Sequence, residues 1–435
     1  MLDSIVRALQ IPELKKRIQF LLMMFAVYVL GTHVPVPGVN AEKIQQLFGG
    51  GNLLGLMNIF SGGALARMSI FALGIVPYIN ASIIMQMMSL AIPRLKELSQ
   101  EGDSGRQEIA KITRWLTVLL AFLQAIGFSL IFRQAEGVLT YGYFSLVQIW
   151  VVWTAGSTFL LWMGEEITDK GIGNGVSLVI FASIMTALPY QLGQITKAVQ
   201  GGLVSYFAVF ILLVIFVFTV WGIVLITQGE RRIPIQHAKR VIGMRVQQGG
   251  GSFLPIKVNT AGVMPIIFAL SIVMFPATIL NSVPNTHHVY WLQLLQTYAM
   301  LISPGQSWWG AAFYVIFIIV FTFFYTSVVL DPKDLADNLK KYGNMIPGIR
   351  PGTPTFDYLD RVVSRITFAG GVFLAVVALI QYLAPEMVNI TQLSIIGGTS
   401  LLIVVGVAIE TMQAIEAQLL MRNYEGFIKS SGMAD

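Results

Sequence analysis

Long apolar runs, separated by short charged or Gly- and Pro-rich breaks, dominate this sequence of 435 residues. Charged residues make up only 11% of the chain, against roughly 25% in soluble domains, while 55% of the residues are hydrophobic. A helix that crosses the hydrocarbon core of a bilayer needs about 20 mostly apolar residues, so the chain has room for roughly ten crossings. The composition therefore predicts an all-α integral membrane protein.

The positions of the apolar runs predict ten transmembrane helices. They cover residues 18–34, 69–91, 112–132, 145–164, 176–189, 203–227, 260–281, 308–330, 362–384 and 393–418. A shorter apolar segment, LLGLMNIFSGGAL at 53–65, lies between the first two. As a helix this segment would reach only about 20 Å, short of a hydrocarbon core of about 30 Å. We expect it to enter the membrane and return on the same side.

The basic residues test this topology, because lysine and arginine concentrate on the cytoplasmic side of a membrane. With ten crossings, all but four of the 28 lysines and arginines fall on one side. The exceptions are Lys43, Arg67, Arg133 and Lys197. Counting 53–65 as a crossing would place most of the later basic loops outside. The charge pattern predicts that both termini are cytoplasmic.

A short external connection predicted at 189–202 divides the helices into two sets of five, within 1–200 and 201–435. An odd number per set inverts the second set relative to the first, as in inverted-topology repeats around a central pathway. The sequence contains no convincing repeat at the level of residues, so this prediction concerns topology alone.

Residues suited to catalysis are scarce. The chain has no cysteine and four histidines, and it lacks the nucleotide-binding pattern GxxxxGK[ST]. We therefore expect no enzymatic activity, cofactor or metal. Coupled transporters commonly bury ionisable groups in their spans, whereas charge here is nearly confined to the span ends. A secondary solute transporter remains the main alternative function, and an insertase or scaffold without a through-pore is a second one.

Two predicted cytoplasmic loops, 229–259 and 331–360, are longer than membrane orientation requires. They contain ERRIPIQHAKR and DNLKKYGNMIPGIRPG, which mix basic residues with Pro and Gly turn signals. A protruding basic loop can contact ribosomal RNA or an acidic protein surface. Loop length alone leaves docking and simple orientation as equal alternatives.

Eight segments, in order, resemble signature segments of the SecY family of protein-export channels. They are FSGGALARMSIFALGIVPYINASIIMQ, EGDSGRQEI, GEEITDKGIGNGVSL, IPIQHAKR, VNTAGVMPIIFA, FPATI, ADNLKKYGNMIPGIRPG and GGTSLLIVVGV. Together they extend over essentially the whole chain. The resemblance implies a clamshell of two five-helix halves around an hourglass pore, in the bacterial cytoplasmic (inner) membrane. Such a channel passes unfolded secretory polypeptides and releases hydrophobic segments sideways into lipid.

The resemblance also implies a pore ring and a plug. Matched motif by motif, the ring falls on Ile75, Ile79, Val176, Ile180, Ile267 and Ile403. The family most often has isoleucine at the position of Val176, so this member is one methylene smaller. A narrow apolar collar holds water poorly, and flexible aliphatic side chains can part around a polypeptide. The plug would cover about 53–67, with Leu56, Met57, Ile59, Phe60, Gly62, Gly63, Leu65 and Arg67.

A lateral gate and docking loops complete the implied sites. The gate lies between the second and third helices on one side and the seventh and eighth on the other, with Asn80, Ser82, Gln86, Pro265 and Pro276. The loops would dock the SecA motor or the ribosome through Arg231, Arg232, Lys239, Arg240, Arg245, Lys340, Lys341 and Arg350. Other implied partners are the SecE and SecG subunits, signal peptides, nascent chains and membrane lipids.

Overall fold

The computed structural model describes residues 9–37, 39, 58, 61–133, 143–202, 204–237, 240–242, 245–247, 251–282, 297–298, 307–387 and 398–430. The helices are α1 (Pro12–His33), α2 (Val76–Ala91), α3 (Pro93–Gln100), α4 (Asp103–Arg133), α5 (Tyr143–Lys170), α6 (Gly175–Gln200), α7 (Tyr206–Gln228), α8 (Met264–Ser282), α9 (Trp308–Val329), α10 (Pro332–Lys341), α11 (Thr353–Met387) and α12 (Gly398–Ser430). The strands are β1 (Glu230–His237), β2 (Arg240–Ile242), β3 (Arg245–Gln247), β4 (Gly251–Lys257) and β5 (Asn344–Met345).

The most apolar helices expose most of their side chains. Helix α7 buries Leu212, Thr219 and Ile223, while Phe218 and Trp221 on the same helix are exposed. Such a surface is stable where hydrocarbon replaces water, because a helix satisfies its own backbone hydrogen bonds. Seven helices in the described ranges are long and apolar enough to cross a membrane, or eight if the bent pair 76–89 and 93–99 is one span. The structure is that of a multi-pass membrane protein.

Each predicted span overlaps one of these helices, but the prediction is wrong at two boundaries. The second span begins at Val76 rather than at residue 69, because Gly74 adopts a φ of 58° that interrupts a right-handed helix. The connection predicted at 189–202 is mostly helical, since α6 continues through Pro189 to Gln200. Neighbouring helices in a membrane can compensate for the backbone hydrogen bond that a proline removes.

The helices of the first part of the chain, α1 to α6, contact those of the second part, α7 to α12, on two sides. Helix α12 packs against α6, and α8 packs against both α2 and α4. The largest buried cluster takes residues from both parts, including Phe71 and Leu178 from the first and Phe268 and Leu402 from the second. The core of the molecule is therefore shared between the two parts.

The two long basic loops form one small folded unit. Strand β1 pairs with β4 from Glu230↔Lys257 to Gln236↔Gly251, and β5 from the second loop pairs with the other edge of β1. One face of this sheet and helix α10 bury an apolar core that also includes the start of α11. Its members are Ile233, Ile235, Ile256, Ala336, Leu339, Ile346, Leu359 and Val363. Each loop thus depends on the other for its burial.

Candidate functional site

The six aliphatic positions expected to form a ring lie on four helices from both parts of the chain. They are Ile75, Ile79, Val176, Ile180, Ile267 and Ile403. Ile75 immediately precedes α2, Ile79 lies in its first turn, Val176 and Ile180 lie near the start of α6, and one position each lies on α8 and α12. Five belong to one buried cluster and are at most 8% exposed, and Val176 packs against that cluster. All six positions thus belong to or pack against this cluster, which also contains many other buried side chains from both parts of the chain.

The turn before α2 packs tightly against α5 and sets the position of Ile75. The Ser157 hydroxyl of α5 donates a hydrogen bond to the carbonyl oxygen of Gly74 over 3.0 Å. A Cβ atom added at Gly156 would lie 1.9 Å from the carbonyl oxygen of Ile70. Because this close approach requires glycine, α5 acts as a fixed support for the residue that starts α2.

The plug positions are only partly within the described residues: Leu56, Met57, Ile59 and Phe60 lie outside them. Gly62 and Gly63 adopt φ values of 70° and 81°, which favour glycine. A Cβ atom at Gly62 would lie 2.8 Å from the carbonyl oxygen of Ser183 on α6. On the other side, the Tyr28 hydroxyl of α1 donates to the carbonyl oxygen of Ser61 over 3.2 Å. The segment that starts at Ser61 therefore lies between α1 and α6.

The same segment is closed on itself and joined to the chain after α1. The side-chain oxygen of Asn58 accepts from the backbone N–H of Ala66 over 2.8 Å. The backbone N–H of Val36 donates to the carbonyl oxygen of Met68 over 2.8 Å. Of the remaining predicted plug positions, Leu65 is 1% exposed. This segment is thus held by several independent contacts.

The gate positions lie where the two parts of the chain meet. Asn80, Ser82 and Gln86 are half-buried on α2, and the Gln86 Nε2 donates to the Ser82 Oγ over 3.4 Å. Pro265 is buried in the first turn of α8; Pro276 lies on α8, with its side chain outside the described part. Helix α8 contacts α2 and α4, and α9 packs beside α8. The four helices expected at the gate are therefore adjacent.

Five of the predicted docking residues are exposed on the folded unit of the two loops: Arg231, Arg232, Lys340, Lys341 and Arg350. Lys239 lies outside the described residues, as do the side chains of Arg240 and Arg245, whose backbones are in β2 and β3. The Arg232 guanidinium lies 4.8 Å from the centroid of the Phe253 ring. The carbonyl oxygen of Arg350 accepts from the Thr355 hydroxyl over 2.8 Å, which ties this loop to the start of α11.

The sequence analysis missed the shared core of the two loops. A signal for it exists, because Ile233 and Ile235 alternate with exposed residues, as do Leu254 and Ile256 in β4. This alternation is typical of a half-buried strand. No local pattern indicates that the two loops pair through β5, because the paired residues Gln236 and Met345 are far apart in the sequence.

The acidic residues near the end of α5 form ion pairs. Glu165 Oε1 lies 2.6 Å from Arg114 Nε on α4, and Glu166 Oε2 lies 2.5 Å from Lys170 Nζ. Among the described residues, no group of three His, Cys, Asp or Glu side chains is placed to hold a metal ion. The first pair joins α4 to α5 and the second lies within α5, and exposed pairs of this kind contribute at most about 1 kcal/mol each.

The long apolar helices, their shared buried core and the basic loop unit define a multi-pass α-helical membrane protein. The SecY family profile matches residues 69–412 of the chain. Proteins named protein translocase subunit SecY are 41% identical to it, from Streptomyces galbus over 99% of this chain and 100% of that one, and from Thermotoga maritima over 99% and 98%. The chain belongs to the SecY family.

Solved structures show the same fold at low sequence identity. A protein-conducting channel aligns with a TM-score of 0.61 and 18% identity, covering 93% of this chain and 92% of that one. Sec61 in the canine ribosome-channel complex aligns with a TM-score of 0.58 and 17% identity over the same shares. The predicted fold class is confirmed, and the matches give no support to the solute-transporter alternative.

Proposed function

We propose that this protein is the central protein-conducting channel of a bacterial Sec translocon, which passes unfolded secretory polypeptides across the cytoplasmic membrane. The observation that carries the proposal is that the six aliphatic positions, from both parts of the chain, all belong to or pack against one buried cluster. Membership of a family whose curated members are named translocase subunits supports it. A channel that performs no chemistry needs no catalytic residue, and partners supply the driving energy.

The six aliphatic side chains act as a seal. A narrow apolar constriction holds water poorly and resists the passage of ions, because an ion cannot be hydrated there. Isoleucine and valine side chains change rotamer without breaking any hydrogen bond, so the constriction can widen around a polypeptide and close again. The segment about 53–67 is the plug that closes the external side, and its contacts with α1 and α6 hold it in place.

The contact of α8 with α2 and α4 is the lateral gate. Separation of these helices exposes a nascent segment to lipid. A leucine gains about 0.3 to 0.6 kcal/mol in the membrane, whereas a central Asp, Lys or Arg costs several times as much. The substrate's own composition therefore decides whether it leaves sideways, and the gate provides access.

We infer ten crossings in two inverted halves, 1–200 and 201–435, with both termini in the cytoplasm. The lysines and arginines support this topology, because the residues 229–259 and 331–360 then lie on the cytoplasmic side. The exposed basic residues of this loop unit form a docking surface for the SecA motor and the ribosome, with Arg350 in motor coupling. SecE and SecG are the companion subunits in the membrane.

Crosslinking tests the proposed pathway, because the chain has no cysteine of its own. A cysteine introduced at Ile79 is expected to form a disulfide with an arrested secretory chain that carries one cysteine. The control is a cysteine at Leu213 on α7, whose side chain is 58% exposed on the outer surface. Equal crosslinking at both positions, or at neither, would contradict passage through the cluster.

Conductance distinguishes a plugged pore from a scaffold without a pore. Deletion of residues 53–67 is expected to increase ion leakage through planar bilayers that contain the protein. An unchanged conductance would favour the scaffold.

A further inference from the structure

The turn at 171–175, between α5 and α6, holds the first residues of α6 by side-chain hydrogen bonds. Asn174 Oδ1 accepts from the backbone N–H groups of Val176 and Ser177, over 3.1 and 3.3 Å. Thr168 Oγ1 accepts from the backbone N–H of Gly175 over 2.9 Å. The first N–H groups of a helix have no partner within the helix, so these bonds stabilise the first turn of α6.

Close packing restricts the same turn. A Cβ atom at Gly175 would lie 1.9 Å from the carbonyl oxygen of Gly164, so the start of α6 rests directly on α5. The Val176 side chain lies beside Gly164 as well, since a Cβ atom there would be 3.4 Å from Val176 Cγ2. The side chain of Val176 therefore lies against α5 at Gly164.

The turn also connects the two parts of the chain. Ile172 is 1% exposed and packs in one cluster with Leu14 of α1 and Ile415 of α12. Gly173 lies beside Thr411 of α12, whose Oγ1 would be 3.7 Å from an added Cβ atom. The turn that immediately precedes Val176 thus packs against both α1 and α12.

We infer that Asn174 is a positioning residue for the aliphatic seal, acting through Val176. This inference rests on the proposed function. The hydrogen bonds of Asn174 keep the first turn of α6 wound, so that Val176 packs against the cluster. Without them the turn unwinds part of the time, and the seal loses this member during that time. Thr168 contributes through the adjacent N–H group.

The test is the resting ion conductance of the full chain in planar bilayers. Asn174→Ala is expected to raise the conductance roughly fivefold, as loss of a helix cap changes a two-state population. Asn174→Asp keeps the accepting oxygen and is expected to conduct like the unchanged protein. Ser205→Ala is the matched control, because Ser205 caps α7 through the backbone N–H of Phe207 over 3.3 Å, away from the seal.

A substitution within the seal distinguishes a failure of the proposed channel function from a failure of the positioning role of Asn174. Ile403→Ser places a polar atom in the cluster and is expected to raise the conductance if the proposed function is right. If Ile403→Ser leaks and Asn174→Ala does not, the positioning role is overturned and the channel stands. If neither leaks, the proposed seal is wrong. Equal leakage from Asn174→Ala and Asn174→Asp, or from Ser205→Ala, would also overturn the role of the cap.

Two variants of Thr168 provide an independent test in case Asn174→Ala fails to fold. Thr168→Val has nearly the same shape but leaves the Gly175 N–H without its acceptor, and is expected to leak. Thr168→Ser retains the hydroxyl and is expected to restore the resting conductance. A Thr168→Val protein with unchanged conductance would overturn the inference.

Discussion

Arg67 Nη1 lies 2.8 Å from His33 Nε2 and connects the last residue of the predicted plug to the C-terminal end of α1. The other ring nitrogen, Nδ1, lies 2.8 Å from the carbonyl oxygen of Val29. Because a carbonyl oxygen only accepts hydrogen bonds, Nδ1 carries the hydrogen and Nε2 is free to accept from the guanidinium. The contact gives His33 a specific part in holding this segment.

Replacing His33 should loosen the plug. His33→Phe keeps a ring but removes the acceptor for Arg67. We expect the resting ion conductance to rise by at most roughly fivefold, because a single exposed hydrogen bond contributes little to stability. His33→Gln retains an acceptor and should conduct less than His33→Phe. Conductance in planar bilayers measures both. If the two variants leak equally, Arg67 does not act through His33.

A methyl group at Gly62 should displace the plug segment from α6. Gly62→Ala combines a strained φ of 70° with a Cβ atom 2.8 Å from the Ser183 carbonyl oxygen. Gly202→Ala is the matched control, because Gly202 has a φ of 68° but no atom within 4 Å of an added Cβ. Both carry a backbone strain of about 1 kcal/mol, and only Gly62→Ala should raise the resting conductance. A leak from both would point to strain alone.

A buried charge in the loop unit should release both loops together. Ile235 is 6% exposed, and Ile235→Asp places a carboxylate in the core that the loops share, at a cost of about 4 kcal/mol or more. We expect limited proteolysis to cut both 229–259 and 331–360. Gln236→Asp, on the exposed side of the same strand, should leave both resistant. Cleavage confined to 229–259 would show that the second loop folds without the first.

Reversal of charge at Arg350 should affect SecA-driven export more than the insertion of ribosome-bound chains. Arg350 is exposed in a loop held by Thr355, so Arg350→Glu changes the surface without disturbing a core. We expect export driven by the SecA motor to fall roughly tenfold or more, as at a binding hot spot, with a smaller effect on membrane insertion of ribosome-bound chains. Arg350→Lys keeps the charge and is the control. Equal loss of both activities would assign Arg350 to a general role.

The sequence predicted the elements of this fold better than their contacts. Apolar runs identified the long helices, because hydrocarbon imposes a minimum length and excludes charge. The pattern failed at Gly74 and Pro189, where backbone conformation depends on neighbouring helices. It also failed at β5, whose partner strand lies far away in sequence.

The residues of the candidate site were also predicted better than the contacts that hold them. Ile75 and Ile403 are ordinary membrane aliphatics by composition, and their part in a seal came from the resemblance of their motifs to a family. The structure adds that they share a buried cluster, and that Asn174 and Thr168 hold the helix on which two further members lie. Such supporting contacts have no periodicity and leave no pattern in a single sequence.

The amino-acid sequence by itself determined that this chain lies in a membrane and which family it resembles, because hydropathy and motif order are local properties. Its charge pattern predicted which regions face the cytoplasm. The tertiary structure decided which residues meet. It joined α8 to α2 and α4, placed the segment at Ser61 between α1 and α6, and folded two distant loops into one unit. These contacts depend on how whole helices pack, and packing is a property of the complete fold.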